Sequence, residues 1–257
     1  MTAFAQSTPG KFLTALGQFT RFAGELSVLA VRPPYYLPQA RDAFQAVAFQ
    51  CLVPVLSIMT AVGMISALQG LSVMRIFGAE HVLSSLLAES ILRELAPTLS
   101  CIMIAAQAGT AIAGEIGTMR VKEEIDALSV MAVPPKKFVV VPRLVALVLA
   151  CPAIALFGSV AGMLGGFLVA VLLKGVTRGV FVANLLDFVR MSVLMGGIVK
   201  SVVFGLLIGL IATFYGYHVT GGAQGVGQAA NRTVVHSILA IAIFNYFITS
   251  LWVRIFG

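Results

Sequence analysis

The chain has 257 residues, 59% hydrophobic and 11% charged, with a mean hydropathy of +1.01 and a formal net charge of +7. Soluble domains average roughly 45–50% apolar and about 25% charged, and a soluble fold of this size lacks the interior to hide the excess. Composition therefore excludes soluble enzymes and, despite the basic balance, nucleic-acid binders. The basic residues sit between long apolar runs, where they report topology and attraction to anionic headgroups. Cys51, Cys101 and Cys151 each fall inside such a run, which argues against a disulfide framework and leaves no metal-ligand spacing.

In chain order, Phe12, Leu13, Leu16, Phe19, Phe22, Leu26 and Leu29 recur at three- and four-residue spacing, with Lys11, Gln18, Arg21 and Glu25 between them. The pattern predicts an amphipathic interfacial helix over 11–30. A signal peptide is the competing reading, but the first ten residues carry no basic region and Arg21 and Glu25 interrupt the apolar stretch. Arg32, Pro33, Pro34 and Pro38 then turn the chain. Uncharged stretches at 43–74, 95–114, 144–173 and 233–253, with 191–217 interrupted only by Lys200, predict five spans, because a charge at the bilayer centre costs at least about 2.5 kcal/mol. The fold class is an all-α integral membrane protein. Pro54 and Pro152 are candidate kinks. Gly158, Gly162 and Gly166, and Gly205 and Gly209, form small-residue ridges suited equally to packing within the chain or between subunits.

With five spans, Lys11, Arg21, Arg32, Arg41, Arg120, Lys122, Lys136, Lys137, Arg143 and Arg232 share one side, against Arg75, Arg93, Lys174, Arg178, Arg190 and Arg254 on the other. That asymmetry predicts a cytoplasmic N-terminus and a C-terminus on the outer side, with Trp252 as an interfacial anchor. Between the second and third spans, Val121, Ile125, Leu128 and Ala132 follow helical spacing over 115–133, with Arg120, Lys122, Glu123, Glu124 and Asp126 mostly off that face. A helix lying on the membrane would be mainly basic. A mixed-charge helix held between two spans is better suited to dock on a soluble partner.

The runs Leu92-Arg93-Glu94-Leu95-Ala96-Pro97, Ala111-Ile112-Ala113-Gly114-Glu115-Ile116-Gly117-Thr118-Met119 and Glu123-Glu124-Ile125-Asp126-Ala127-Leu128 resemble the permease subunit of Mla- and Mce-type ABC lipid transporters, the MlaE/YrbE family. Lys200-Ser201-Val202-Val203-Phe204-Gly205, the glycine-rich 221–227 and Arg232-Thr233-Val234-Val235-His236-Ser237 are similar to family blocks in the same order. The resemblance covers the chain from about Gln69 onward. It implies a homodimeric permease of the bacterial inner membrane that moves phospholipid or a related lipid to or from a periplasmic MCE-domain protein. The power would come from a separate ATPase that binds ATP and Mg; this chain has no GxxxxGK[ST] loop and is expected to need no cofactor of its own. Gln107, Gln224 and Asn245 stand where the family commonly has Arg, Glu and Asp.

Two candidate sites follow. The segment 115–131 would be the coupling helix, with Glu115, Arg120, Glu123, Glu124 and Asp126 as polar contacts to the ATPase and Val121, Ile125 and Leu128 as the apolar side. Arg93 and Glu94, just before the predicted second span, are placed to meet a lipid phosphate; by resemblance Val73, Met74 and Phe77 line the same cavity as acyl-chain contacts. Lys200 is expected to snorkel toward the outer interface, in structural or headgroup contact without a catalytic role. An intramembrane enzyme would need convergent reactive groups, yet Lys200, Asp187, His218 and His236 form no HExxH, GxSxG or paired-aspartate motif. A non-transporting scaffold is the third reading.

Overall fold

The computed structural model describes residues 8–31, 36–189 and 191–256, with side chains from Gly17 onward except at 27, 30, 31 and 256, and all its regular elements are helical. We label them α1 (Thr8–Val31), α2 (Leu37–Ile76), α3 (Glu80–Val121), α4 (Glu124–Val130), α5 (Lys136–Leu173), α6 (Arg178–Phe188), α7 (Met191–Tyr217) and α8 (Gly222–Phe256). Five of them, α2, α3, α5, α7 and α8, are long and apolar enough to cross a membrane. The turn expected at Arg32, Pro33 and Pro34, the side chains of Lys11, Phe12, Leu13 and Leu16, and Arg190 lie outside the described residues. Pro38 sits in the first turn of α2, where the missing N–H has no helical partner to lose.

Four spans contain or match the uncharged stretches. The second differs: α3 begins at Glu80 and runs 42 residues through Arg93 and Glu94 without ending there. The reason is electrostatic. Glu94 is paired with Lys200 and Arg93 with Glu89, so neither charge forces the chain out of the apolar layer.

Helix α5 packs along α2 and α7, α3 fills the gap between α7 and α8, and α6 covers the first turns of α3. Glycine sets these distances. A Cβ on Gly63 of α2 would lie 1.9 Å from the Gly162 carbonyl oxygen, and one on Gly165 would lie 2.3 Å from that of Thr60. The second ridge faces α5 as well, with Gly205 against Leu147 and Cys151 and Gly209 against Leu144. Both ridges thus serve packing within the chain, where close backbone approach replaces the hydrophobic drive that lipid cannot supply.

The predicted interfacial helix forms as α1, but its apolar face is turned onto protein. Phe22 and Leu26 are buried against Val140 and Phe214, and Phe19 meets Phe214 edge-on at 5.4 Å. The Lys136 ammonium pairs with Glu25 and lies 5.5 and 5.7 Å over the Phe22 and Tyr217 rings. The helix is clasped to the first turn of α5 at the same end of the bundle as α4 and the α7–α8 turn.

Gly63→Ala should force α2 and α5 apart, costing about 3 kcal/mol or more, whereas Gly227→Ala, with open space around it, should leave the thermal unfolding midpoint in detergent unchanged. The clasp carries a pH dependence. The Lys136 ammonium, with Arg21 beside it, holds the Glu25 carboxyl below the usual carboxylate range. A depressed acid contributes stability that is complete above its unfolded pKa and lost as pH falls through the lowered one. Protease cleavage near the α1–α2 connection should therefore be slow at neutral pH and accelerate only well below pH ~4.3, and Glu25→Gln should cleave fast at every pH.

Candidate functional site

Pro97 is the origin of the most unusual feature of α3. Lacking an N–H, it cannot bond the carbonyl of Arg93 four residues earlier, and the chain takes a π-type turn over Ile91–Leu95. The freed carbonyl is met from another helix: Lys200 of α7 donates to Arg93 O at 3.2 Å and to Glu94 Oε2 at 2.7 Å. Gly197, one turn earlier on α7, permits this approach, since a Cβ there would lie 2.4 Å from the Leu92 carbonyl oxygen.

Glu94 draws α8 into the same junction. Thr249 Oγ1 lies 3.2 Å from Glu94 Oε1, Asn245 Nδ2 donates to Oε2 at 3.5 Å, and Thr98 Oγ1 donates to Asn245 Oδ1 at 3.3 Å. The Lys200 side chain is only 2% exposed and that of Glu94 33%. One carboxylate and one ammonium thus neutralise each other while tying three spans together, leaving one side of the carboxylate accessible. With Asn at 245, the ammonium serves a single carboxylate and the amide supplies a further donor, so the junction stays neutral.

Several expectations change. Lys200 does not extend outward along α7 as snorkelling requires, because Glu94 and an orphaned carbonyl hold its ammonium inside the bundle. Arg93 and Glu94 are not at the end of a span: they lie roughly 20 Å along α3 from Glu80, and they diverge, Arg93 pairing back to Glu89 at 3.1 Å. Val73 and Met74 lie in the last turn of α2 and Phe77 just beyond it, 74% exposed. Thr98, Asn245 and Thr249 were not foreseen as site residues. Two signals pointed their way: Asn245 departs from the family pattern, and its four-residue spacing from Thr249 on an apolar span puts both on one face.

The 115–133 segment is not one helix. Its first part completes α3, Glu123 then takes a left-handed conformation at φ 60°, and α4 follows. That break rotates the residues out of a single amphipathic face. Ile125 is 1% exposed and packs into the bundle with Leu128 against it, whereas Val121 is exposed. The outward surface is formed by Glu123, Glu124, Asp126, Val130 and Met131. Three of the proposed polar contacts are already engaged within the chain: Arg120 and Asp126 pair with each other at 2.6 Å and Glu115 pairs with Arg143 of α5 at 3.2 Å. His218, just past α7, and His236 of α8 each contact the carbonyl four residues earlier through Nδ1.

Five apolar helices, three of them drawn together by a buried, neutralised charge pair, with a short acidic segment projecting at one end, define a polytopic membrane protein. The Permease MlaE family matches residues 41–251, and the chain belongs to that family. It is 34% identical over 246 residues to a probable ABC transporter permease of Rickettsia felis, covering 95% of each chain. It is 33% identical over 252 residues to the intermembrane phospholipid transport system permease protein MlaE of Haemophilus influenzae, covering 93% of this chain and 97% of that one. A probable ABC transporter permease of Synechocystis is 37% identical over 188 residues, covering 73% and 72%. The chain is accordingly a multi-pass inner-membrane permease subunit of an ABC transporter and not an enzyme.

Removing one partner of a buried pair leaves an uncompensated charge, which costs about 3–5 kcal/mol, while removing both is often near neutral. Lys200→Met should therefore lower the thermal midpoint in detergent sharply, and adding Glu94→Gln should recover most of the loss. An equal loss in the single and double variants would mean that the pair is not what joins α3 to α7.

Proposed function

We propose that this chain is the membrane-spanning half of a transporter that moves phospholipid between the inner membrane and a periplasmic MCE-domain partner. A separate ATPase supplies the power, holding the ATP and Mg. The observation that carries this reading is the family match over nearly all of the spanning region, together with a phospholipid permease among its full-length relatives. The geometry is compatible in two places. Glu123, Glu124, Val130 and Met131 present an acidic and apolar patch at the bundle end that also carries α1, suited to a groove on a soluble ATPase. Helix α8 exposes Val235, Leu239, Ile243, Phe247, Leu251 and Ile255 in one four-residue repeat, an apolar stripe suited to lipid or to a second copy of the chain.

In this reading the N-terminus is cytoplasmic and the α2–α3 turn faces the periplasm, where Val73, Met74 and Phe77 would contact acyl chains. The carboxylate edge of Glu94 and the guanidinium of Arg93 would meet a headgroup lower in the same subunit. Lys200 would act on the lipid only through Glu94, as a positioning residue.

The test is purification of the chain with its ATPase and measurement of ATP-driven phospholipid transfer to the MCE-domain partner; stoichiometric ATPase without any transfer would sink the lipid assignment. Glu123→Lys with Glu124→Lys should reduce ATPase retention at least about tenfold, equivalent to ~1.4 kcal/mol, while the permease remains folded. Full retention would move the coupling surface elsewhere. These positions make the cleaner test because reversal at Asp126 would also break its pair with Arg120.

A further inference from the structure

At the α1 end of the bundle, the first turns of α2 and α5 and the last turns of α3 line an open cavity of about 350 Å³. Its polar lining is Gln39, Asp42, Glu115 and Arg143; its apolar wall includes Ala46, Met119 and Phe138. The electrostatics are lopsided. Arg143 is the only cation among the described lining residues, and three of its five N–H groups are committed: Nε and Nη2 both go to Glu115 Oε2, at 3.3 and 3.2 Å, and Nη1 goes to the Val139 carbonyl at 2.9 Å. Glu115 keeps Oε1 free, and Asp42 has no hydrogen bond or ion pair among the described residues. A site with two available carboxylate groups and one committed guanidinium calls for a ligand that brings its own positive hydrogen-bond donors.

We propose that this cavity is a headgroup site for a phospholipid bearing a primary ammonium, taken from the leaflet on the α1 side and distinct from the junction at Glu94. It rests on the lipid-permease reading above. The ammonium would sit between Asp42 and Glu115, donating to both; the phosphate would lie beside Arg143, whose guanidinium retains donor capacity at its rim. The glycerol and the first methylenes would follow Ala46 and Met119 along α2 and α3. A quaternary ammonium does not satisfy this lining, because it has no N–H to give and Phe138 is the only ring among the described lining residues, not an aromatic cage. A purely anionic lipid would place its phosphate near two carboxylates with a single, already paired arginine to offset them. Phe138 of the lining lies two residues beyond Lys136, which clasps α1, so the cavity sits at the α1 end of the bundle.

The experiment places a benzophenone amino acid at the exposed Ala46 position of the full-length chain in nanodiscs of equal phosphatidylethanolamine, phosphatidylcholine and phosphatidylglycerol. The captured lipid is then read by mass spectrometry. The ethanolamine lipid should be enriched about threefold over bulk, the scale of a partly exposed ion pair. Asp42→Asn should return it to the bulk ratio, while capture by the same probe at Met74 stays unchanged. Bulk composition at Ala46, enrichment of phosphatidylglycerol, or enrichment that survives Asp42→Asn would overturn the site. So would capture of the ATPase in place of lipid when the probe is activated in the assembled transporter. Loss of ATP-driven transfer with the Ala46 pattern intact would count against the transport reading and in favour of the site.

Discussion

The pairing of Lys200 with Glu94 is the constraint on which the rest of the bundle depends. Each charge alone would be expelled from the apolar layer, and α3 would end where Arg93 and Glu94 occur. Together they allow a 42-residue helix to run past them, and they recruit α7 and α8 to its flank. Pro97 makes the arrangement directional. It frees the Arg93 carbonyl in the turn where the ammonium arrives, so the lysine satisfies a carboxylate and an orphaned backbone acceptor at once. Three spans are thereby held by polar contacts in a medium where apolar surface gives no preference for protein over lipid.

The remaining spans are held by a different device. Helices α2 and α5 meet backbone to backbone through Gly63, Gly162 and Gly165, and dispersion across that close seam does what burial does in water. The two devices meet on α7, which reaches α5 through Gly205 and Gly209 and α3 through Gly197 and Lys200. A helix bound on one side by a rigid seam and on the other by a polar junction of separable contacts has one side that can loosen without the other.

The five apolar spans and the amphipathic helix ahead of them were legible because they rest on one-dimensional signals, namely uncharged runs and a 3.6-residue period. The end of the second span was not, because the rule that charges mark boundaries fails when a charge finds its complement on a distant helix, here 106 residues away. The same blindness placed Lys200 at the interface: a lone lysine in an apolar run snorkels unless a carboxylate waits at its depth. The segment after α3 was misread for a local reason. Its apolar residues keep helical spacing, but Glu123 adopts a left-handed φ that interrupts the phase, and no glycine at that position announced the break. Asn245 stood out in the sequence as a departure from a family pattern; only the fold shows that it donates to the carboxylate that closes the junction.

The course of α3 also limits how the two ends of the molecule communicate. One unbroken element carries the junction at Glu94, the apolar seam to α8 and, beyond Gly114, the carboxylate of Glu115 that holds Arg143 of α5. Helix α4 hangs between these two helices, tied to α3 by the Arg120–Asp126 pair and to the bundle by buried Ile125. Lys136, the first residue of α5, in turn grips α1 through Glu25. A push on α4 therefore cannot be absorbed locally; it is delivered to α3 and α5 together and to the interfacial helix. The α2–α5 seam has no slack, since its glycines already stand at backbone contact. The polar junction on α3, built from separable hydrogen bonds around a π-type turn, is where such a load would be relieved.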